Sequence, residues 1–371
     1  MRGLRILALA PYPPNRAATN GGARVMGELL GRLAERHEVS VLALRGPGEP
    51  PGDEALPVEE VARPPVSGVW RRRALRLRGL PLWVAEWDVR EYRRRLERLL
   101  AGPVPDLVVA HYHVMGQYLR DVTAPRVLVE YEAGARGAAR FEGAAWRRYE
   151  TRLLRSVDAA VALTEADAAA LRALEPSARI VTIPFGIPLP PEPADAAGDG
   201  DTVLFVGNFE HEPNVDAALR LARSILPRLG SARLCLVGSR PPDDVRALAS
   251  DRVEVHGSVA DVAPFLARAS VVALPLRHGG GMRVKTLEAL AAGKAVVATP
   301  LALEGVGVVD GQQALVAETD EELAAAIAAL LADPERRRAL GRAARAWAEE
   351  NAGWDARIAE HEALYRSLVA A

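Results

Sequence analysis

Cysteine and lysine are both scarce in this chain of 371 residues. The single cysteine, Cys235, lies in an apolar run at residues 232–237, which predicts a small buried core residue. One cysteine excludes a disulfide framework within the chain and is typical of a reducing compartment. The only lysines are Lys285 and Lys294, and all other basic residues are arginine. The sequence therefore predicts a cytoplasmic protein with two lysines close together.

Long apolar runs and a strong net charge are also missing. No stretch of about 18 apolar residues occurs, so no membrane-spanning helix is predicted. The net charge is −1, which gives no overall field that would select nucleic acid. The apolar residues 4–10 are followed at once by prolines and Asn15, so we interpret them as a first buried strand rather than a signal peptide.

Metal and nucleophile motifs are absent as well. The histidines and Cys235 show no metal-ligand spacing. The only Asp-x-Asp triplet, Asp199 to Asp201, lies in a flexible Pro- and Gly-rich stretch away from any predicted strand end. No nucleophile elbow is visible. We expect no metal site and no cofactor.

Short apolar runs alternate with helical patterns throughout the chain, which predicts parallel sheets covered on both faces. The strands expected in the first half are residues 5–10, 39–44, 107–110, 127–130, 159–163 and 179–183; those in the second half are residues 202–206, 233–237, 253–256, 271–274, 295–298 and 314–317. Helices are expected between them, for example at residues 22–36, and Thr164 is a good N-cap for a helix that starts at Glu165.

A Pro- and Gly-rich break divides this α/β pattern into two Rossmann-like doubly wound domains. We expect a first domain at residues 1–185, a linker at 186–201, a second domain at 202–352 and a final helix at 353–371. The ligand is expected in the cleft that the two domains face, at the carboxyl ends of the strands.

Residues 63–98 are rich in arginine. A basic amphipathic helix there would allow peripheral contact with an anionic membrane. The alternative, which we favour, is a solvated helix face in an arginine-rich protein.

The stretch after the strand at residues 271–274 carries the strongest functional signal. Gly279, Gly280 and Gly281 let the backbone approach a phosphate, and the next helix presents its N-terminus there. Arg283 and Lys285 can meet a diphosphate from two sides, and Glu288 can accept two hydrogen bonds from a ribose diol. An ordinary glycine turn and a surface salt bridge of Glu288 are the structural alternatives.

Two features of the first half are weaker. Gly21 and Gly22 lie between the first strand and its helix, which alone is a common turn. His111 and His113 follow a predicted strand, where a histidine can bind a sugar hydroxyl or pack in the core. On a locally extended chain the two side chains would point to opposite sides.

These stretches resemble glycosyltransferase family 4, retaining enzymes of the GT-B fold, over nearly the whole chain. The matching stretches of the second half begin at Val203, Pro213, Val255 and Gly279, and the last runs to Thr299. The pattern Gly279-Gly280-Gly281-Met282-Arg283-x-Lys285 resembles one subgroup. The final helix from Trp354 resembles the family's helix that crosses back to the first domain.

The resemblance implies a nucleotide-sugar donor in the second domain and a hydroxyl acceptor, such as a glycan, lipid-linked sugar or small molecule, in the first. His111 matches the family's active-site histidine, and Glu288 the second glutamate of its E-x7-E motif. The donor-binding residues implied are Gly21, Gly22, Gly207, Asn208, His256, Gly257, Gly279, Gly280, Gly281, Met282 and Glu288, with Arg283 and Lys285 at the diphosphate.

This chain departs from the family pattern at two places. Gly280 stands where the first glutamate of the motif would fall, and Asn208 and Asn214 replace the usual arginine and lysine. The expected function is metal-independent, retaining sugar transfer. A GT-B sugar-nucleotide epimerase and an inactive sugar-nucleotide-binding protein remain alternatives, and the sugar, the base, the acceptor and the oligomeric state stay open.

Overall fold

The computed structural model describes residues 3–18, 20–64, 80–120, 122–131, 143–279 and 283–370. The chain divides into two compact units. The first unit is Met1–Phe185 with Asp355–Ala371, and the second unit is Gly186–Trp354. Each unit has its own buried apolar core.

A seven-stranded sheet forms the centre of the first unit, in the order β3-β2-β1-β4-β5-β6-β7. Every neighbouring pair is parallel. The strands are β1 (Arg5–Ala10), β2 (Glu38–Arg45), β3 (Val58–Ala62), β4 (Leu107–His111), β5 (Arg126–Glu130), β6 (Ala159–Ala162) and β7 (Ile180–Thr182). The helices are α1 (Gly21–Ala34), α2 (Leu82–Glu86), α3 (Arg90–Leu100), α4 (His113–Gly116), α5 (Gly143–Leu154) and α6 (Glu165–Leu174).

A six-stranded parallel sheet forms the centre of the second unit, in the order β10-β9-β8-β11-β12-β13. Its strands are β8 (Thr202–Val206), β9 (Arg233–Val237), β10 (Val253–His256), β11 (Val271–Leu274), β12 (Val296–Ala298) and β13 (Leu315–Val316). Its helices are α7 (Glu212–Arg220), α8 (Asp243–Arg246), α9 (Ala263–Arg268), α10 (Val284–Ala291), α11 (Asp320–Ala332) and α12 (Pro334–Asn351). A π-helical turn and two 3₁₀ turns complete it, at Leu221–Ile225, Leu226–Arg228 and Leu301–Leu303.

Local sequence signals account for several helix starts. Thr164 accepts a hydrogen bond from the Asp167 amide at 3.1 Å, so α6 begins where the N-cap predicted. Thr319 and Glu322 form a reciprocal capping box at the start of α11.

The predicted strands are confirmed, and no strand end differs from the prediction by more than one residue. The exception is β3, which was missed. Its sequence is Val-Glu-Glu-Val-Ala, it lies at the edge of the sheet, and Val58 to Glu60 are only half-buried. An edge strand needs no continuous apolar run, so the pattern that marks buried parallel strands fails there. Cys235 is buried in the core as predicted.

Residues 186–201, predicted as a flexible linker, are packed on the second unit. The Ile187 amide donates to the Ala352 carbonyl at 2.9 Å, and Ala196 and Ala197 are buried. Asp199 accepts hydrogen bonds from the Thr202 amide and hydroxyl, and these bonds lower the pKa of its carboxyl against the effect of partial burial. The Asp-x-Asp triplet therefore tethers the start of β8, and the expectation of flexibility was wrong.

The last helix, α13 (Trp354–Val369), lies from Asp355 onward in the first unit. Glu362 contacts His37 Nε2 at 3.0 Å and the Arg36 guanidinium at 3.4 Å. Ser367 accepts a hydrogen bond from Arg179 at 2.9 Å. Across the described ranges, no helix combines the length and apolar character needed to cross a membrane.

Candidate active site

The strand order in each unit reverses direction at one place, which is where ligands bind in open α/β sheets. In the first unit the reversal lies between β1 and β4, and in the second between β8 and β11. His111 ends β4, while Gly207 and Asn208 follow β8 and the 279–288 stretch follows β11. The fold thus places most of the predicted site residues at these two carboxyl edges.

In the first unit, Gly21 and Gly22 are the first two residues of α1, and Asn20 is its N-cap. The Asn20 side chain accepts from the Gly22 amide at 2.9 Å and the Ala23 amide at 3.3 Å. A methyl group on Gly22 would lie 2.1 Å from the Tyr112 hydroxyl and 2.2 Å from the Tyr12 hydroxyl, whereas Gly21 has open space around it. Gly22 is therefore closely packed, and a side chain there would have to displace both tyrosine hydroxyls.

His111 is fully buried at the end of β4. Its Nδ1 lies 3.2 Å from the Tyr131 hydroxyl. Nε2 has no hydrogen-bond partner in the part of the chain that the structure describes. Burial, with a smaller effect of His361, lowers the pKa of His111 to about 3. A neutral imidazole at pH 7 can offer one donor or one acceptor to a substrate hydroxyl.

His113 does not sit on an extended chain, contrary to our expectation. Tyr112 has φ +67 and ψ 145, which few non-glycine residues adopt, and His113 starts α4. His113 is also fully buried, with its Nδ1 3.1 Å from the Glu130 carboxylate. The two histidines still have different partners, because the backbone turns between them.

In the second unit, Asn208 forms a network with α7 and β9. Its side-chain oxygen accepts from the Glu210 amide at 3.0 Å and from the Ser239 hydroxyl at 2.9 Å. Its carbonyl accepts from the Asn214 side chain at 2.6 Å. Gly207 is close-packed, because a methyl group there would lie 2.9 Å from Asn214 Cγ.

Lys285 lies in the first turn of α10 and donates from Nζ to Asn214 Oδ1 at 2.5 Å. Its ammonium group is 5.8 Å from the centre of the Phe205 ring. Burial, and then the charge of Arg283, lower the pKa of Lys285 to about 8, against a smaller opposite effect of Glu288. A partly desolvated cation at a helix N-terminus is suited to holding an anion.

Arg283 is less available to a ligand than the sequence suggested. Its guanidinium is 3.0 Å from the Glu304 carboxylate and 3.3 Å from the Gly279 carbonyl, and its side chain is only 5% exposed. Arg283 and Lys285 lie in the same turn, but the Arg283 guanidinium forms an ion pair with the Glu304 carboxylate. Glu304 was not predicted, since it lies 21 residues farther along the chain.

Of the other residues predicted to bind the donor in this stretch, the structure describes Gly279 and Glu288. Gly279 has φ +122, a conformation that favours glycine, and lies against Pro213. Glu288 is half-buried on α10 and interacts electrostatically with Lys285. Gly280, Gly281 and Met282 lie outside the described residues.

His256 is the last residue of β10, and Gly257, which follows it, lines a cavity of about 460 Å³. His256 Nε2 lies 3.1 Å from Glu254, and its ring contacts Phe265 edge-on. Gly257 is exposed and has open space around it. The cavity is lined by Arg240, Pro241, Arg246, Ala249, Val255, Gly257 and Ser258.

Tertiary contacts create two groups that could each share an ion, which linear spacing did not indicate. One is Cys235 with Glu254 and His256, and the other is His113 with Glu130 and Glu150. Lys294, by contrast, is buried and donates to the Asp195 carbonyl, so it anchors residues 186–201 rather than the site.

Sequence reasoning missed the tyrosines around His111. Tyr112 and Tyr131 stack at 3.7 Å, and Tyr12 meets Tyr112 edge-on at 5.5 Å. All three lie just beyond strand ends, which is the signal that would have found them.

The arginine-rich region is only partly described, since residues 65–79 lie outside the described ranges. In the part that is described, α3 buries Tyr92 and Leu96, and several of its arginines pair with acids, for example Arg93 with Asp88 at 3.1 Å. This part fits a solvated helix face, since four of its arginines form ion pairs within the protein.

Two family profiles match adjacent parts of the chain. The profile "Glycosyl transferase 4-like domain" matches residues 20–186, and "Glycosyl transferases group 1" matches residues 200–333. A curated relative is the GDP-mannose-dependent alpha-(1-6)-phosphatidylinositol monomannoside mannosyltransferase of Mycolicibacterium smegmatis, 31% identical over 218 residues. That match covers 51% of this chain and 57% of the relative.

Solved structures share the fold over the whole chain. Sucrose-phosphate synthase of Thermosynechococcus elongatus superposes with a TM-score of 0.78 at 20% identity, covering 99% of each chain. HepE of Anabaena, solved with UDP, superposes with a TM-score of 0.73 at 15% identity, covering 98% of this chain and 100% of HepE. These likenesses confirm the predicted fold class, two parallel-sheet Rossmann-like domains of the GT-B type.

Proposed function

We propose that this chain, whose two halves match the glycosyl transferase 4-like and glycosyl transferases group 1 profiles, transfers a sugar from a nucleoside-diphosphate sugar to an acceptor hydroxyl. The observation that carries the proposal is the cluster of Lys285, Asn214 and Asn208 at the strand-order reversal of the second unit. A donor diphosphate needs a cation and helix N–H groups at such an edge.

Lys285 has the leading role at the diphosphate. Because Arg283 is paired with Glu304, it supports the turn that carries Lys285 and lends less charge to the ligand. Glu288 lies one turn further along α10 and binds the donor ribose through its carboxylate. In the first unit, His111 takes part in the transfer as a neutral imidazole, with Nε2 directed to a hydroxyl.

We propose further that the reaction retains the anomeric configuration and needs no metal. Charge on the leaving diphosphate would be met by Lys285 and the N-terminus of α10, which act as preorganised electrostatic partners. Retention follows from the family resemblance, with the leaving phosphate helping to deprotonate the acceptor hydroxyl. The Asp199 carboxylate, which belongs to the Asp-x-Asp triplet, accepts hydrogen bonds from Thr202 at the start of β8.

The donor belongs to the class of hexose nucleotides. The mycobacterial relative is GDP-mannose-dependent by name, and HepE was solved with UDP, so these two proteins do not favour one base for this chain's donor. Both family profiles describe transferases, which favours transfer over epimerisation.

The test is a panel of UDP-, GDP-, dTDP- and ADP-sugars, first by thermal shift and then by product analysis. A transferase releases nucleoside diphosphate slowly from one donor and faster with an acceptor, and NMR of the product gives the anomeric configuration. An isomerised sugar would instead indicate an epimerase, and binding without product an inactive protein. An inverted product would refute retention.

A further inference from the structure

The first unit buries a polar cluster that the proposed transfer does not use directly. His113 and Glu130 are 0% and 1% exposed at the side chain, and Glu150 is also buried. Each of the three offers a ligand atom within 4.8 Å of the others. Glu130 Oε1 has no hydrogen-bond partner in the described ranges. Burying ionisable side chains costs free energy, so a buried cluster of three needs a structural or functional explanation.

One face of α5 builds this cluster. Trp146, Tyr149, Glu150 and Leu153 are all buried, at the i, i+3, i+4 and i+7 spacing of a single helix face. Leu153 packs on Gly116, where a methyl group would lie 2.6 Å from its side chain. The face is therefore pressed against α4, the short helix that His113 begins.

His113 is held from several directions. Its Nδ1 lies 3.1 Å from Glu130, and its carbonyl accepts from the Tyr149 hydroxyl at 2.6 Å. The rings of Trp83 and Trp146 meet its imidazole edge-on at 4.9 and 4.7 Å. These contacts fix both the side chain and the backbone of one residue.

These contacts on His113, which we call the His113 clamp, also stabilise the preceding residue, Tyr112. Its φ of +67 is a strained conformation for a residue other than glycine, and it persists only when the surroundings enforce it. The Tyr112 amide still pairs with the Val129 carbonyl at 2.8 Å, so the turn away from β5 starts at this residue. His111 precedes the turn and His113 follows it.

Two consecutive residues of the β5 end hold the two histidines. Glu130 contacts His113, and Tyr131 contacts His111 at 3.2 Å while its ring stacks on Tyr112. A displacement of His113 would therefore change the strained backbone at Tyr112, and with it the orientation of the His111 side chain.

We propose that Glu130, His113 and Glu150 are positioning residues that hold the turn at Tyr112, and so set the orientation of the His111 imidazole for sugar transfer. This inference rests on the proposed function, because it assigns the cluster a role through His111. The role is distinct from a purely structural one, since it predicts an effect on the catalytic step beyond the loss of stability.

The experiment compares Glu130→Ala with Glu130→Gln, which keeps an oxygen to accept from His113. Leu171→Ala is the matched control, a fully buried side chain of the same core on α6. The readouts are kcat with the donor found by the panel, the Kd of the nucleoside diphosphate, the Tm, and the ring ¹⁵N NMR signals of His111, assigned with His111→Asn.

Glu130→Ala should lower kcat by about 10- to 100-fold, the scale for a small misplacement of a catalytic group. The nucleotide Kd should stay within about twofold of the wild type, because only an interaction in the transition state is lost. The His111 ring signals should shift, and Glu130→Gln should recover most of the rate. Leu171→Ala should lower the Tm and leave the His111 signals in place.

Unchanged kcat and unchanged His111 signals in Glu130→Ala would overturn the proposal, whatever the Tm. The NMR readout needs no substrate. If no donor turns over even in the wild type, the proposed function fails, yet the His111 signals still decide whether the cluster sets that imidazole.

Discussion

Raising the pH from 7 to 9 should weaken nucleoside-diphosphate binding by about tenfold, and the loss should depend on Lys285. The pKa of Lys285 is lowered to about 8, first by burial and then by Arg283. The lysine is therefore mostly protonated at pH 7 and mostly neutral at pH 9. A diphosphate favours the protonated form, so binding at pH 9 must first add a proton.

The size of the effect follows from that pKa. One pH unit above it costs about 1.4 kcal/mol, which is a factor of about ten in Kd. Binding near pH 8–9 should also take up a proton, since the bound anion raises the pKa of the lysine again. Isothermal titration calorimetry at pH 7, 8 and 9, repeated in buffers of different ionisation enthalpy, measures both quantities.

Two variants serve as controls. Lys285→Arg keeps its charge beyond pH 9, so its affinity should be nearly flat with pH, and any ionisation of the base or phosphate shows in it equally. Lys285→Met should bind about 1.5–3 kcal/mol more weakly at pH 7, the range for a hydrogen bond to a charged group, and should also be flat.

Folding stability should increase as the pH rises, whereas nucleoside-diphosphate affinity should decrease. The folded-state pKa of Lys285 lies below its unfolded value near 10.5, so the unfolded chain binds more protons between pH 8 and about 10.5, and stability rises with pH there. Lys294 has a similarly lowered pKa of about 8, so part of the rise in stability remains in Lys285→Met.

A pH profile of nucleotide binding that is the same in wild type and Lys285→Arg, without proton uptake, would refute this reasoning about Lys285.

The other predictions concern Glu288, His111, the glycine pair Gly21 and Gly22, and metal dependence. Glu288→Gln should weaken nucleoside-diphosphate affinity with little change in Tm; a large Tm loss at normal affinity would favour a structural salt bridge. His111→Ala should lower kcat and kcat/KM together while nucleotide Kd stays near wild type, and a change in KM alone would contradict a role in the transition state. Gly22→Ala should lower Tm and turnover because its methyl group meets two tyrosine hydroxyls, whereas Gly21→Ala should leave Tm unchanged. Excess EDTA should leave turnover unchanged, and loss of activity restored by Mn²⁺ would contradict metal independence.

Much of the proposed donor site could be predicted from residues adjacent in the sequence. Gly279, Lys285 and Glu288 lie within ten residues, in the segment that leads from a buried strand into the following helix, so one local pattern carries them. The partners of these residues were not readable. Glu304 joins Arg283 from beyond β12, and Asn214 joins Lys285 from α7, because parallel strands bring distant strand ends to one edge.

In the first unit, even less of the geometry around the candidate site could be predicted from the sequence. His111 could be placed at a strand end, but its burial, its contact with Tyr131 and the turn at Tyr112 could not be predicted. The contacts there join His111 and His113 to residues of two other segments of the chain, Glu130–Tyr131 and Tyr149.

The sequence by itself determined the α/β class, the two domains, nearly all strands and the short stretch around Lys285. Each of these depends on apolar periodicity or on residues adjacent in the chain, and so is encoded locally. Only the tertiary structure decided that Arg283 pairs with Glu304, that residues 186–201 pack on the second unit, and that His113 joins a buried cluster. Those outcomes depend on which side chains meet after parallel strands have been assembled, and the contacts that stabilise them link residues far apart in the chain.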